Sequence, residues 1–175
     1  MIEMAAEIKP PISTEPGRKR TAARLAAVQA LYQIELAGSS PANVVVEFIK
    51  HRLGREGEGE NFGAADEGLF ATIVEGACAQ RGDLDQHIAA ALTPDWPLER
   101  LEIILRSILR AGAFELLARP EVPVRVVISE YLDIAHAFFA GKEPGLVNAV
   151  LDRLARTFRP EGMREADGEP GTPSR

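Results

Sequence analysis

The sequence has one cysteine, few aromatic residues and no long apolar run, and each scarcity excludes a class of protein. A single cysteine, Cys78, allows no intramolecular disulfide, which is typical of a reducing cytoplasm. Aromatic residues make up only 6% of the 175 residues. Because alanine and leucine recur instead, the composition favours closely packed helices over a β-sandwich. No apolar stretch approaches the roughly 20 residues of a membrane span, and the N-terminal segment lacks the pattern of a secretion signal. We therefore expect a cytoplasmic, all-α protein with no membrane partner.

Motifs for catalysis and for metal or nucleotide binding are missing as well. The three histidines, His51, His87 and His136, lie on different predicted helices, and none has the partners of an HExxH-like site. The acidic and histidine side chains of segment 83–87 do not share one helix face, so helix capping explains them better than metal binding. Gly141-Lys142 lacks the other residues of a phosphate-binding loop. The sequence thus predicts no enzyme activity, no metal and no cofactor.

Proline and glycine separate two terminal segments from a helical centre. We expect residues 1–17 to be a flexible arm, 18–159 to be the folded helical domain, and 160–175 to be a disordered acidic tail. A loop rich in glycine and glutamate is expected at 54–63. Helical spacing of apolar residues predicts about seven helices, at about 19–37, 40–53, 65–80, 83–92 (capped by Asp83) and 98–119, then after Pro123 and after Pro144. Segment 98–119 is apolar almost all round, which is typical of the buried centre of a bundle.

Acidic and basic residues are segregated along the chain, although the formal net charge is −6. Arg18, Lys19, Arg20 and Arg24 lie in a stretch without a single acid, and Arg20 and Arg24 share a helix face. Such a cluster neutralises phosphates, and Tyr32, two turns beyond Arg24, offers a ring on which an unpaired base stacks. Taken alone, these residues fit a solvated terminus and a core tyrosine better.

Two further polar residues lie near the last predicted helix. Lys142 is in the loop before it, where free backbone N–H groups at a helix start receive phosphate. Asn148, on the first turn, is polar among apolar neighbours. A solubilising lysine and a locally bonded asparagine are the alternatives that the sequence leaves open.

Four segments, in this order, resemble the NusB transcription antitermination family. The first two are Ala-Arg-Leu-Ala-Ala-Val-Gln-Ala-Leu-Tyr at 23–32 and Ser-Ile-Leu-Arg-Ala-Gly-Ala-Phe-Glu-Leu at 107–116. The third is Val-Pro at 122–123 followed by Val-Ile-Ser-Glu at 127–130, and the fourth is Val-Asn-Ala-Val-Leu-Asp at 147–152. The chain departs from the family pattern at Leu146, which is usually aromatic, and at Ala149, which is usually glycine.

The resemblance implies an all-helical fold of two small bundles, with helices 1–3 forming one of them. It also implies binding of the boxA element of ribosomal RNA leaders together with NusE, a small-subunit ribosomal protein. Through other Nus factors, that complex joins the elongating RNA polymerase. The RNA-binding residues that we expect are Arg18, Lys19, Arg20, Arg24, Gln29, Tyr32, Lys142 and Asn148, and the family includes both monomers and homodimers. The alternative is a non-catalytic protein-interaction module related to the NusB-like domain of ribosomal-RNA methyltransferases.

Overall fold

The computed structural model describes residues 16–53 and 65–168, and within these ranges it contains helices and no strand. This confirms the all-α prediction. The eight α-helices are α1 (Pro16–Ala37), α2 (Pro41–His51), α3 (Glu67–Ala79), α4 (Arg81–Ala91), α5 (Ile103–Ala118), α6 (Val124–Phe138), α7 (Glu143–Phe158) and α8 (Pro160–Ala166), with a short 3-10 turn at Leu98–Arg100. In the same described ranges, no helix has the length and apolar character that would let it cross a membrane.

The chain clusters into two compact units. The first comprises residues up to Gln80 together with Glu102–Ser107, and the second comprises Arg81–Leu101 and the residues from Ile108 onward. Helices 1–3 therefore share one unit, as the resemblance implies. The first turn of α5 also belongs to that unit, which the sequence did not predict.

In the first unit, α1 packs against both α2 and α3. Its buried residues are mostly small: Ala22, Ala23, Ala26, Ala27 and Ala30 are all at most 5% exposed. Alanine side chains let neighbouring helices approach closely, and the core also contains the stacked rings of Phe48 and Phe70, whose centroids are 5.4 Å apart. The start of α3 is fixed by Asp66, whose carboxylate accepts a hydrogen bond from the Leu69 N–H at 2.9 Å.

The central helix α5 is buried, as predicted, but its start differs from the prediction. Leu101 has an extended backbone, with ψ at 143°, so the 3-10 turn at Leu98–Arg100 is separate and α5 begins at Ile103. In the second unit, Ile108 and Leu109 are fully buried. At Gly112 a Cβ atom would lie 3.0 Å from the Leu151 side chain, so glycine lets α7 approach α5 closely.

Two buried polar side chains of α5 in the second unit, Arg110 and Glu115, are paired with side chains of other helices. Arg110 donates two hydrogen bonds to the Asp85 carboxylate, at 2.7 and 3.0 Å, and the Tyr131 hydroxyl donates to Glu115 at 2.6 Å. These contacts satisfy groups whose burial would otherwise be costly. Asp83 does not cap α4 as predicted, because the helix already begins at Arg81 and Asp83 lies in its first turn.

Arg159, directly after α7, donates hydrogen bonds to backbone carbonyl groups at the end of α5 and just beyond it. Its guanidinium donates to the carbonyl oxygens of Glu115 and Leu116 at 2.6 Å, and to those of Arg119 and Val122. The last carbonyls of a helix lack donors from a following turn, so this cation adds donors at the end of α5. The Glu115 carbonyl also accepts a hydrogen bond from the Arg119 N–H at 3.0 Å. Burial lowers the pKa of Arg159, an effect that the charges of Glu121 and Glu115 oppose.

The predicted terminal segments need two corrections. Residues 160–166 form α8 rather than a disordered tail, because Pro160 is suited to a helix start and Met163 is buried at 5% exposure, with α8 packed on α6 and α7. At the other terminus α1 begins at Pro16, inside the predicted arm. The remainder of the arm, the loop at 54–63 and residues 169–175 lie outside the described residues.

Candidate nucleic-acid interface

Helix α1 carries most of the predicted RNA-binding residues, and only its two ends are open. From Ala22 to Val28 every residue is buried, on all sides of the helix. Gln29 is partly exposed, and every residue from Tyr32 to Ala37 is partly or fully exposed. The predicted residues of α1 are therefore divided between a basic end and an aromatic end.

The basic end consists of Arg18, Lys19 and Arg20, on the first two turns of α1. Arg18 and Arg20 are exposed and Lys19 is half-buried. The Lys19 carbonyl accepts a hydrogen bond from the Asp66 N–H at 3.0 Å, so this end is held against the start of α3. The first turn of α1 contains no acid. Because the helix N-terminus also carries partial positive charge, the three cations add to it, and anions are attracted here.

The structure contradicts the expectation that Arg24 lies on the surface beside Arg20. The Arg24 side chain is only 2% exposed, among buried alanines and Leu25, and it does not lack a partner. The spacing that places Arg24 one turn after Arg20 is right, but the helix is covered on every side at this point. Its assignment as an RNA contact stays a prediction.

The aromatic end consists of Gln29 and Tyr32, both half-exposed. Twelve residues separate Tyr32 from Arg20, or about 18 Å along the helix axis. An RNA that touches both ends must therefore be extended over several nucleotides. One turn beyond Tyr32, Glu35 accepts a hydrogen bond from Arg106 of the α5 start, with 2.7 Å between Nη2 and Oε1. Sequence reasoning missed this pair, because 71 positions separate its members.

Lys142 and Asn148 belong to the second unit, where the structure places both on the surface of α7. Lys142 occupies the N-cap position, its side chain makes no capping hydrogen bond, and its carbonyl accepts from the Leu146 N–H at 3.1 Å. Asn148, six positions further on, is exposed. Their contact with RNA stays a prediction.

The residues considered for metal binding have other structural roles. Asp85 pairs with Arg110, and the ring of His87 meets that of Phe158 edge-on, with centroids 4.9 Å apart. Across the part of the chain that the structure describes, no three His, Cys, Asp or Glu residues are grouped so that they could hold a metal ion.

Comparison with known proteins gives consistent results. The NusB family model matches residues 21–156. Transcription antitermination protein NusB of Agrobacterium fabrum is 48% identical over 163 residues, covering 93% of this chain and 98% of the relative. NusB of T. maritima has a similar structure, with a TM-score of 0.68 and 25% identity over 87% of this chain and 99% of that one. A NusB chain solved with NusE and double-stranded RNA shares the fold, at a TM-score of 0.66 and 23% identity over 81% of this chain and 98% of that one.

Proposed function

Because the chain belongs to the NusB family, we propose that it is a transcription antitermination factor that binds the boxA element of nascent ribosomal RNA together with NusE. Within the elongation complex it promotes processive transcription by RNA polymerase. It acts without catalysis, by binding alone, and it acts in the cytoplasm, where the nascent RNA is made.

The observation that carries this proposal is the pair of open ends on α1. At the basic end, Arg18 and Arg20 are exposed beside Lys19, and at the aromatic end Tyr32 is half-exposed. An exposed cation binds phosphate of any sequence, with an affinity that falls as salt rises. A partly exposed ring stacks on an unpaired base, so it supplies the contact that duplex RNA cannot make.

The different exposed side chains at the two ends support a different task for each end. The basic end attracts the RNA and neutralises its backbone, while Gln29 and Tyr32 contact bases several nucleotides away. The second unit offers Lys142 for a further phosphate and Asn148, whose amide both donates and accepts hydrogen bonds, for a base edge. NusE adds contacts of its own and strengthens the selection for boxA.

The test is a fluorescence-anisotropy titration of single-stranded boxA RNA, with a scrambled RNA and a boxA duplex as comparisons, with and without NusE and at two salt concentrations. Preference for single-stranded boxA that increases with NusE and weakens with salt supports the proposal. If no RNA binds even with NusE present, a non-catalytic protein-interaction module becomes the better description.

Two variants of Tyr32 test the stacking contact. Tyr32→Ala removes the ring, and without that base stack boxA binding weakens by about tenfold or more, since stacking contributes about 1–3 kcal/mol per base. Tyr32→Phe keeps the ring and is expected to bind almost as the wild type does. Equal weakening in both variants would assign the interaction to the hydroxyl and contradict stacking.

A further inference from the structure

The aromatic end of α1 is held to the first unit differently from the rest of the helix. Between Ala22 and Leu31 only Gln29 is more than slightly exposed, so this part of α1 is fixed by packing on all sides. From Tyr32 onward every residue is half-buried or exposed, and Leu36 is 48% exposed. The helix then ends at Ala37, and Gly38 follows it with a positive φ of 65°. Packing alone therefore constrains Tyr32 less than it constrains the buried middle.

An ion pair supplies a constraint at this end. Arg106 and Glu35 approach to 2.7 Å, and their side chains are only 15% and 14% exposed. A charge-assisted bond that is shielded from water is stronger and less screened than one on the surface. It joins the last turns of α1 to the start of α5, and both segments belong to the first unit.

Glu35 lies three positions after Tyr32, so the two side chains project from the same side of α1 one turn apart. Any rotation or fraying of the last turns of the helix would therefore displace the Tyr32 ring. Stacking needs a ring whose orientation is already fixed before the base arrives, because ordering it on binding reduces affinity.

We propose that Glu35 and Arg106 are positioning residues that hold Tyr32 in the orientation in which it stacks on the RNA base. This inference rests on the proposed function. Neither residue touches the RNA: the charge of Arg106 is matched by Glu35, and the pair acts through the helix that carries Tyr32. Removing it lowers affinity without removing a phosphate contact.

The experiment is a double-mutant cycle on the full-length chain with NusE and single-stranded boxA RNA. Glu35→Gln, which keeps the shape and removes the charge, is made in the wild type and in Tyr32→Ala. The exchange Glu35→Arg with Arg106→Glu restores the pair in reverse. Arg164→Gln is the matched control, because its Nη1 lies 3.6 Å from Glu161 on α8 and the pair is exposed at 54% and 73%. Thermal unfolding of each variant confirms that it is folded.

We expect Glu35→Gln to weaken boxA binding about fivefold to tenfold in the wild type and to have no effect in Tyr32→Ala, because interacting sites are not additive. The exchange recovers most of the affinity, Arg164→Gln changes nothing, and the dependence of binding on salt keeps its slope.

Three results would overturn the inference. Equal weakening in both backgrounds means that the pair acts independently of Tyr32, and an unchanged affinity means that it has no role in binding. A shallower salt slope in one further variant, Arg106→Gln, measured beside the others, means that this arginine contacts a phosphate itself. These results leave the proposed function intact, whereas a wild-type chain that fails to bind boxA overturns both.

Discussion

Helices α1 and α7 both carry predicted RNA contacts, but they are buried in different ways. α7 buries one stripe, which includes Val147, Val150 and Leu154, and exposes the opposite side along its whole length. α1 is covered on every side in its middle and open only at its ends. A polar residue on α7 is therefore available for binding wherever it faces outward. On α1, the position of a residue along the helix decides whether it is exposed.

The largest effect expected from this difference is at Arg24. Arg24→Ala removes a side chain that is 2% exposed and leaves its partner group uncompensated, so we expect a decrease of about 3 kcal/mol in the free energy of unfolding. Urea denaturation followed by circular dichroism measures it. Arg156→Ala on the exposed side of α7 is the control and should leave the midpoint unchanged. A stable Arg24→Ala chain that binds RNA poorly would instead establish Arg24 as a ligand-binding residue.

The next largest effect on stability is expected when a larger side chain replaces an alanine on α1, compared with the same change on α7. Ala27 on α1 is fully buried, so Ala27→Leu forces extra methyl groups into a filled core and costs about 1–3 kcal/mol. Ala149 on α7 is exposed, and the same substitution there changes stability by less than about 0.5 kcal/mol. The two unfolding midpoints are compared directly. Similar values for both variants would mean that the middle of α1 is not enclosed.

A smaller decrease in stability is expected where α7 meets α5. Gly112→Ala increases helix propensity by about 1 kcal/mol, but the new Cβ lies 3.0 Å from Leu151 and 3.3 Å from Tyr131. Both neighbours are fully buried, and Tyr131 is held by its bond to Glu115. Because neither can move freely, overpacking exceeds the gain and leaves the variant less stable by about 1 kcal/mol. A more stable variant would show that the buried side of α7 adjusts easily.

The sequence predicted the helices well because their signals are local. Apolar spacing and Pro41 located α2, and the apolar run of 98–119 identified the buried centre of α5. The prediction of a disordered tail was wrong for a reason that lies outside the segment concerned. α8 exists because Met163 finds a buried place against α6 and α7, and a window of sequence around Pro160 contains no sign of those helices.

The candidate site was predictable in its residue types and less so in its exposure. Helical spacing shows which residues share a face, but not whether another helix covers that face, so Arg20 and Arg24 looked equivalent. The structure separates them, because one is exposed and the other is buried. The Glu35–Arg106 pair was not predicted for a related reason, because an ion pair between residues so far apart in sequence leaves no periodic signal.

The smallest effect on stability, and the one that best separates binding from folding, is at Arg20. Arg20→Ala removes an exposed side chain, so the free energy of unfolding should change by less than about 0.5 kcal/mol. Binding of boxA weakens all the same, and the slope of log affinity against log salt becomes shallower by about 0.7, as expected when one phosphate of a single strand is no longer neutralised by the protein. Arg164→Ala on α8 removes the same charge from the second unit and should leave the slope as it is. If Arg20→Ala lowers affinity with an unchanged slope, Arg20 contacts a base or NusE rather than phosphate. The basic end of α1 would then take part in selecting the sequence, and the division between an attracting end and a selecting end would no longer hold.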